Sequence, residues 1–152
     1  MPDQGAGQEE SPERTTMSIA QVYALADATD QRYRALVLLG MFNSLRWSEL
    51  GGLRRCDIDL AGRTVRVTRH LIEVRGGGFD FGPSKSRAGK RSVPIPEVII
   101  PIIRWHLACF AEPGDDGLVT SPAGKPLRNT NFRRRVWLPA LLAAEVPTIH
   151  FP

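Results

Sequence analysis

Cysteine is scarce in this sequence. Cys56 and Cys109 are the only two, they lie far apart, and neither belongs to a C-x-x-C pair. Both read as reduced thiols, Cys109 within an apolar helix, and no disulfide is expected. Long apolar runs are missing too: none reaches the roughly 18 residues that span a bilayer. The opening stretch MPDQGAGQEESPERTT has no basic segment followed by an apolar one, so no secretory signal is expected and the chain reads as cytoplasmic, with no membrane partner. There is no internal repeat. His70 and His106 have no partner at metal-ligand spacing and read as structural. Asp57 and Asp59 form an isolated Asp-x-Asp and read as turn and cap residues, so neither a metal nor another cofactor is expected.

What is present is an apolar fraction of 42%, ordinary for a folded domain, and an uneven charge. Residues 1–16 carry Asp3, Glu9, Glu10 and Glu13 against Arg14, a net −3, which leaves +7 on the remainder of a chain whose total is +4. The expected organisation is a disordered acidic tail over 1–16 and one domain over 17–152. A body this basic suits a polyanion partner; the plainer reading is a well-solvated surface.

Hydrophobic periodicity places the elements. Ser18 and Gln21 form a capping box ahead of Ile19, Val22, Leu25 and Ala26 at helical spacing. A second helix over 31–42 is apolar nearly all round its later half, which predicts deep burial. A short helix follows Arg46 and runs to Leu53. The period then drops to two: Val65 and Val67 alternate with Arg66 and Thr68 after a turn at Ala61-Gly62, and Leu71, Ile72 and Val74 suggest a further strand. RGGGFDFG reads as a loop. SKSRAGKRSVPIP reads as strand, polar turn, strand, with Val93 and Ile95 alternating. A helix over 97–111 carries Val98, Ile99, Ile102, Ile103, Leu107 and Phe110, with Pro101 tolerated in its first turn. EPGDDG and SPAGKPL are turns. Asn129 or Thr130 caps a last helix through Phe132, Val136, Trp137, Leu141 and Leu142, kinked at Pro139. The total is an α+β fold, mainly helical with a small three-stranded antiparallel sheet.

Two basic clusters stand out. The turn SKSRAGKR holds Lys85, Arg87, Lys90 and Arg91 with no acid, a tip suited to a phosphate backbone or a minor groove. Arg133, Arg134 and Arg135 occupy successive helical positions about 100° apart, so they cannot all reach one phosphate row. Arg46 poses a different question: a lone guanidinium set between two apolar runs.

Three stretches in order resemble the catalytic domain of the tyrosine recombinases, the phage integrase family. NSLRWSELGGLRRCDIDL is similar to the family pattern T-G-L-R-W-x-E-L with L-x-x-x-D-I-D. PSKSRAGKRSVPIP is similar to its P-K-S/T…R-x-V-P-L-P, and GLVTSPAGKPLRNTNFRRRVW to the region before its next arginine box. The resemblance covers the chain from about Ser18 onward and implies a partial recombinase domain. It implies double-stranded DNA as partner and gives Arg46 the role of gripping the scissile phosphate, buried beside apolar helices, with Glu49 orienting the guanidinium. It gives Lys85 the role of general acid toward the departing 5′ oxygen. His150 is the candidate histidine of the family's H-x-x-R box.

The family nucleophile is a tyrosine near the domain's C-terminus. Tyr23 and Tyr33 both precede Arg46, and neither fits. The resemblance therefore implies an integrase-like fragment that holds half an active site, truncated ahead of the nucleophile and without strand-cleaving activity of its own. A second reading is a non-catalytic DNA-binding module that competes with or assists an intact recombinase or other copies of itself. A third is the product of a decaying gene.

Overall fold

The computed structural model describes residues 17–83, 90–111, 117–118 and 121–152. The expected acidic tail, the hairpin tip with Lys85 and Arg87, and most of the EPGDDG turn lie outside the described residues. The chain starts as its capping signals predict. The Ser18 hydroxyl accepts from the Gln21 amide and the Gln21 side chain accepts from the Ser18 amide, which opens α1 (Ile19–Asp27). Val22, Leu25 and Ala26 face inward, but Ile19 is 66% exposed because the first turn overhangs the core.

Helix α2 (Gln31–Asn43) is the centre of the molecule. Asp30 caps it, and every residue from Ala35 to Gly40 is buried. A stripe can bury one face of a helix; burying all faces requires packing on every side. Helices α1, α3 (Trp47–Gly51) and α4 (Ile100–Cys109) supply part of that packing. Gly40 is needed where the C-terminal segment crosses α2, since a Cβ there would lie 2.8 Å from the Phe151 ring.

Among the described residues the strands form two antiparallel units. In one, β2 (Thr64–Val67) lies between β1 (Ile58–Asp59) and β5 (Arg91–Pro94), with Val65 opposite Val93 and Val67 opposite Arg91. Val65 and Val67 are buried while Arg66 between them is exposed, as the two-residue period predicts. In the other, β3 (Arg69–Glu73) pairs with β4 (Phe79–Pro83), Leu71 opposite Phe81. This corrects the expectation that RGGGFDFG is all loop. Gly76, Gly77 and Gly78 take positive φ and turn the chain, and the residues after them pair as a strand. Pro83 at the end of β4 pairs with Arg69, the first residue of β3.

A single 3-10 turn (Glu97–Ile99) leads into α4 and leaves Val98 65% exposed, against the expectation that it joins the core; Ile99, Ile103 and His106 are buried instead. The last helix is composite. Helix α5 (Asn129–Phe132) passes through a π turn (Arg133–Trp137) into α6 (Leu138–Ala144). Pro139 has no N–H to donate and its ring crowds the preceding turn, so widening that turn keeps the helix running without a break. Neither Asn129 nor Thr130 is the cap. Arg128 precedes the helix, and the first amide is satisfied from elsewhere in the fold.

The C-terminal residues have no regular structure, yet they are packed. Phe151 meets Trp137 at 4.8 Å, Phe132 at 5.3 Å and Trp47 at 5.9 Å between ring centroids. The Trp137 indole donates to the Ile149 carbonyl at 2.8 Å, and the Trp47 amide donates to the Pro152 carbonyl at 3.0 Å. Among the described residues, no helix is long and apolar enough to cross a membrane.

Candidate functional site

The segment Ser44-Leu45-Arg46 bridges α2 and α3. Ser44 closes α2 in the left-handed conformation (φ 56°, ψ 35°), the geometry a glycine adopts without steric cost. Leu45 turns fully inward, and Arg46, in extended backbone at the N-cap of α3, points out. Arg46 is exposed, which corrects the expectation of a guanidinium buried between apolar helices. The apolar neighbours belong to the helix cores on either side, and a residue at the cap lies outside both. Among the described residues no hydrogen bond or ion pair engages the Arg46 guanidinium.

Glu49 does not orient that guanidinium directly. Its Oε1 accepts from the Arg46 backbone amide at 3.0 Å, the half of a capping box that a glutamate can make. The same carboxylate holds Arg91 by two hydrogen bonds, Nη1 to Oε2 at 2.8 Å and Nη2 to Oε1 at 3.1 Å. Burial pushes the Glu49 carboxyl up, but the bonds from Arg91 and the Arg46 amide, with the charges of both arginines, outweigh it and hold the group below its ordinary value. Arg91, expected among the DNA-contacting cations, is thus a brace. It ties the base of the basic hairpin to the start of α3 and so sets the backbone under Arg46.

Other cations gather at the hairpin base. Arg66, on the wet face of β2, lines a shallow cleft with Thr68, Lys90, Arg91 and Ser92, and both Arg66 and Lys90 are exposed. Arg66 was legible as a surface arginine but carried no motif; only the pairing of β2 with β5 sets it beside Lys90. Arg133, Arg134 and Arg135 are all exposed and divide between two surfaces. Arg133 and Arg134 share a hollow with Asn129 and Thr130, whereas Arg135 borders a cleft of about 450 Å³ with Lys125, Tyr33 and Phe132.

His150 is exposed on the segment whose Pro152 carbonyl meets the Trp47 amide, so the fold brings it toward the start of α3. Neither tyrosine is free of packing. Tyr23 lies against Phe42, and Tyr33 meets Phe132 edge-on with its hydroxyl pKa raised chiefly by burial. His106 is structural: its Nε2–H donates to the Leu118 carbonyl at 2.6 Å, and burial depresses its pKa. The two aspartates are engaged internally. Asp57 is buried and takes both guanidinium branches of Arg54, and Asp59 accepts from the Gly62 amide.

Comparison with known proteins gives a consistent picture. No family model matches the sequence. An integrase of prophage phiRv2 from Mycobacterium tuberculosis is 36% identical over 112 residues, covering 74% of this chain and 30% of that protein. A XerC-like tyrosine recombinase from Caldanaerobacter subterraneus is 34% identical over 83 residues, 49% of this chain and 21% of its own length. This chain therefore spans less than a third of the length of each of these two relatives. Among solved structures, the Tn1549 transposon integrase bound to circular intermediate DNA superposes with a TM-score of 0.66 at 22% identity, over 78% of this chain and 42% of that one. That likeness shows a shared fold. With the ordered motifs around Arg46 and the 83–96 segment, the sequence relationships establish that the chain belongs to the tyrosine recombinase family and carries part of its catalytic domain.

Proposed function

We propose that this chain supplies the phosphate-gripping half of a DNA strand-exchange site. The observation that carries the reading is the braced start of α3. Arg46 is exposed with no partner among the described residues, while its backbone is fixed by Glu49, itself clamped by Arg91 at the foot of the basic hairpin. A guanidinium aimed into solvent from a rigid backbone suits a ligand that arrives from outside.

In the reaction this implies, a tyrosine phenol gives up its proton to a base as its oxygen attacks the phosphorus of a DNA phosphodiester. The bond to the 5′ oxygen breaks, that oxygen takes a proton, and the phosphorus stays on the tyrosine. The transition state gathers negative charge on the nonbridging oxygens. Arg46 offers them paired donors that stay charged at any working pH. Loss of a comparable preorganised donor costs roughly 100- to 1,000-fold in rate. Lys85 is the proposed proton donor, Lys90 and Arg87 hold the flanking backbone, and His150 is the proposed second contact to the phosphate. Tyr23 and Tyr33 are packed against other rings, so the attacking tyrosine is proposed to lie outside residues 1–152.

The test is a nicked duplex that traps covalent intermediates. Residues 1–152 should bind it and form no tyrosine-linked adduct, and Arg46→Ala should weaken binding while lowering the salt slope by about one phosphate's worth. An adduct formed by this chain, or a salt slope untouched by Arg46→Ala, would refute the reading. The exposed cations Arg66, Lys90, Arg133 and Arg134 favour a second reading, a DNA-binding module without chemistry that joins an intact recombinase or other copies of itself. Its mark would be duplex binding that Arg46→Ala leaves intact and loss of the arginine pair on the last helix abolishes.

A further inference from the structure

Glu73 stands where three parts of the fold meet, and neither the motifs nor the phosphate chemistry above uses it. It ends β3. Its Oε2 accepts from the Trp47 indole N–H at 3.3 Å and from the Asn129 backbone N–H at 2.9 Å. Its Oε1 lies 3.5 Å from Arg128 Nη1. Arg128 also donates to the Gly78 carbonyl at 3.0 Å and lies over the Phe79 ring, so this corner is built from both strands of the hairpin. The composite helix begins without a side-chain cap of its own, and the carboxylate of a distant strand receives its first amide.

The same carboxylate steadies the residue next to Arg46. An N-cap residue lies outside the helix ladder, so its pose depends on what holds its neighbours. Arg46 is held on one side through Glu49 and Arg91. On the other it depends on Trp47, whose ring packs at a tilt against Phe132 with centroids 4.9 Å apart and whose N–H is oriented by Glu73. We propose that Glu73 is a positioning residue that couples the Arg46 guanidinium to the helix carrying Arg133 and Arg134, so that both sets of cations meet one DNA backbone in register. This inference rests on the reading of Arg46 as a phosphate grip.

Electrostatics and positioning predict opposite signs, which makes the inference testable. Removing a carboxylate from a DNA-binding surface strengthens attraction to phosphates. Removing a positioning group weakens it. Affinity for a fluorescent duplex would be measured at fixed salt for the full chain, Glu73→Gln, Arg46→Ala and the double variant, with near-UV circular dichroism reporting the fold. The expected result is a loss of about 3- to 10-fold for Glu73→Gln, shrinking to under about 2-fold once Arg46 is gone, as for residues acting through one another. Trp47→Phe, which keeps an aromatic side chain but removes the indole N–H along with part of the ring's volume, should show the same dependence on Arg46 and carries the test if Glu73→Gln fails to fold. Tighter binding by Glu73→Gln, unchanged binding, or an equal loss in both backgrounds overturns the inference and leaves the Arg46 reading standing. If Arg46→Ala itself has no effect, both fall together.

Discussion

Replacing Glu49 by glutamine keeps the shape of the side chain and removes one charge and one acceptor. The Glu49 side chain is 14% exposed and that of Arg91 35%, so the pair lies between a surface bridge and a buried one. Surface pairs contribute about 0–1 kcal/mol, and breaking a buried one costs about 3–5 kcal/mol. Two charge-assisted bonds in bidentate geometry argue for the upper part of that interval; the third of Arg91 that remains in water argues against its top. A loss of about 2 kcal/mol follows, roughly 4–8 °C in Tm for a domain of this size. Urea unfolding of Glu49→Gln, Arg91→Met and the double variant would measure the coupling, expected at about 1–2 kcal/mol.

The pH dependence gives an independent check. The Glu49 pKa is lowered from its ordinary 4.5 in the folded state, so the unfolded chain takes up the proton first. The contribution is fully present above that value and is lost as pH falls through the folded pKa. The stability gap between the native chain and Glu49→Gln should therefore narrow as pH drops below 4.5. Additive single losses, or a gap that stays constant down to the onset of acid unfolding, would refute the bracing role.

Further outcomes follow from single contacts. Ser44→Gly should stabilise the fold by about 1 kcal/mol in chemical denaturation, because the left-handed backbone at this position strains any residue with a Cβ. Phe151→Ala should cost about 2–4 kcal/mol by the same assay, since the ring fills the space between Trp137, Phe132 and Trp47. His106, its pKa lowered from 6.5 chiefly by burial, should stabilise fully above that pH and progressively less below it, because the unfolded chain is protonated first. His106→Gln, which can still donate toward the Leu118 carbonyl, should flatten that part of a stability–pH profile.

Much of the fold was legible because local rules governed it. The Ser18–Gln21 box, the all-round apolar half of α2, and the alternation of Val65 and Val67 with Arg66 each depend on residues close in sequence, and each appears in the structure. The loop assigned to RGGGFDFG failed because three glycines mask a strand that only its partner, β3, stabilises. Ile19 and Val98 follow helical spacing, yet both lie outside the core, since periodicity marks a face and cannot say where the core stops. The missing cap on α5 had no local signal: its acceptor is 56 residues away, on β3.

The sequence by itself determined the family to which the chain belongs. The order of the motifs around Arg46, over 83–96 and over 117–137 named the family, because each alone is weak and the three in sequence are specific. Tertiary structure alone decided how those residues are held. Arg46 proved to be exposed, Arg91 to be a brace, and Glu73 to join elements that no spacing rule connects. The reason is physical. Local propensity fixes where a side chain sits along its element, whereas the partner of a partly buried carboxylate is set by which elements the core brings together.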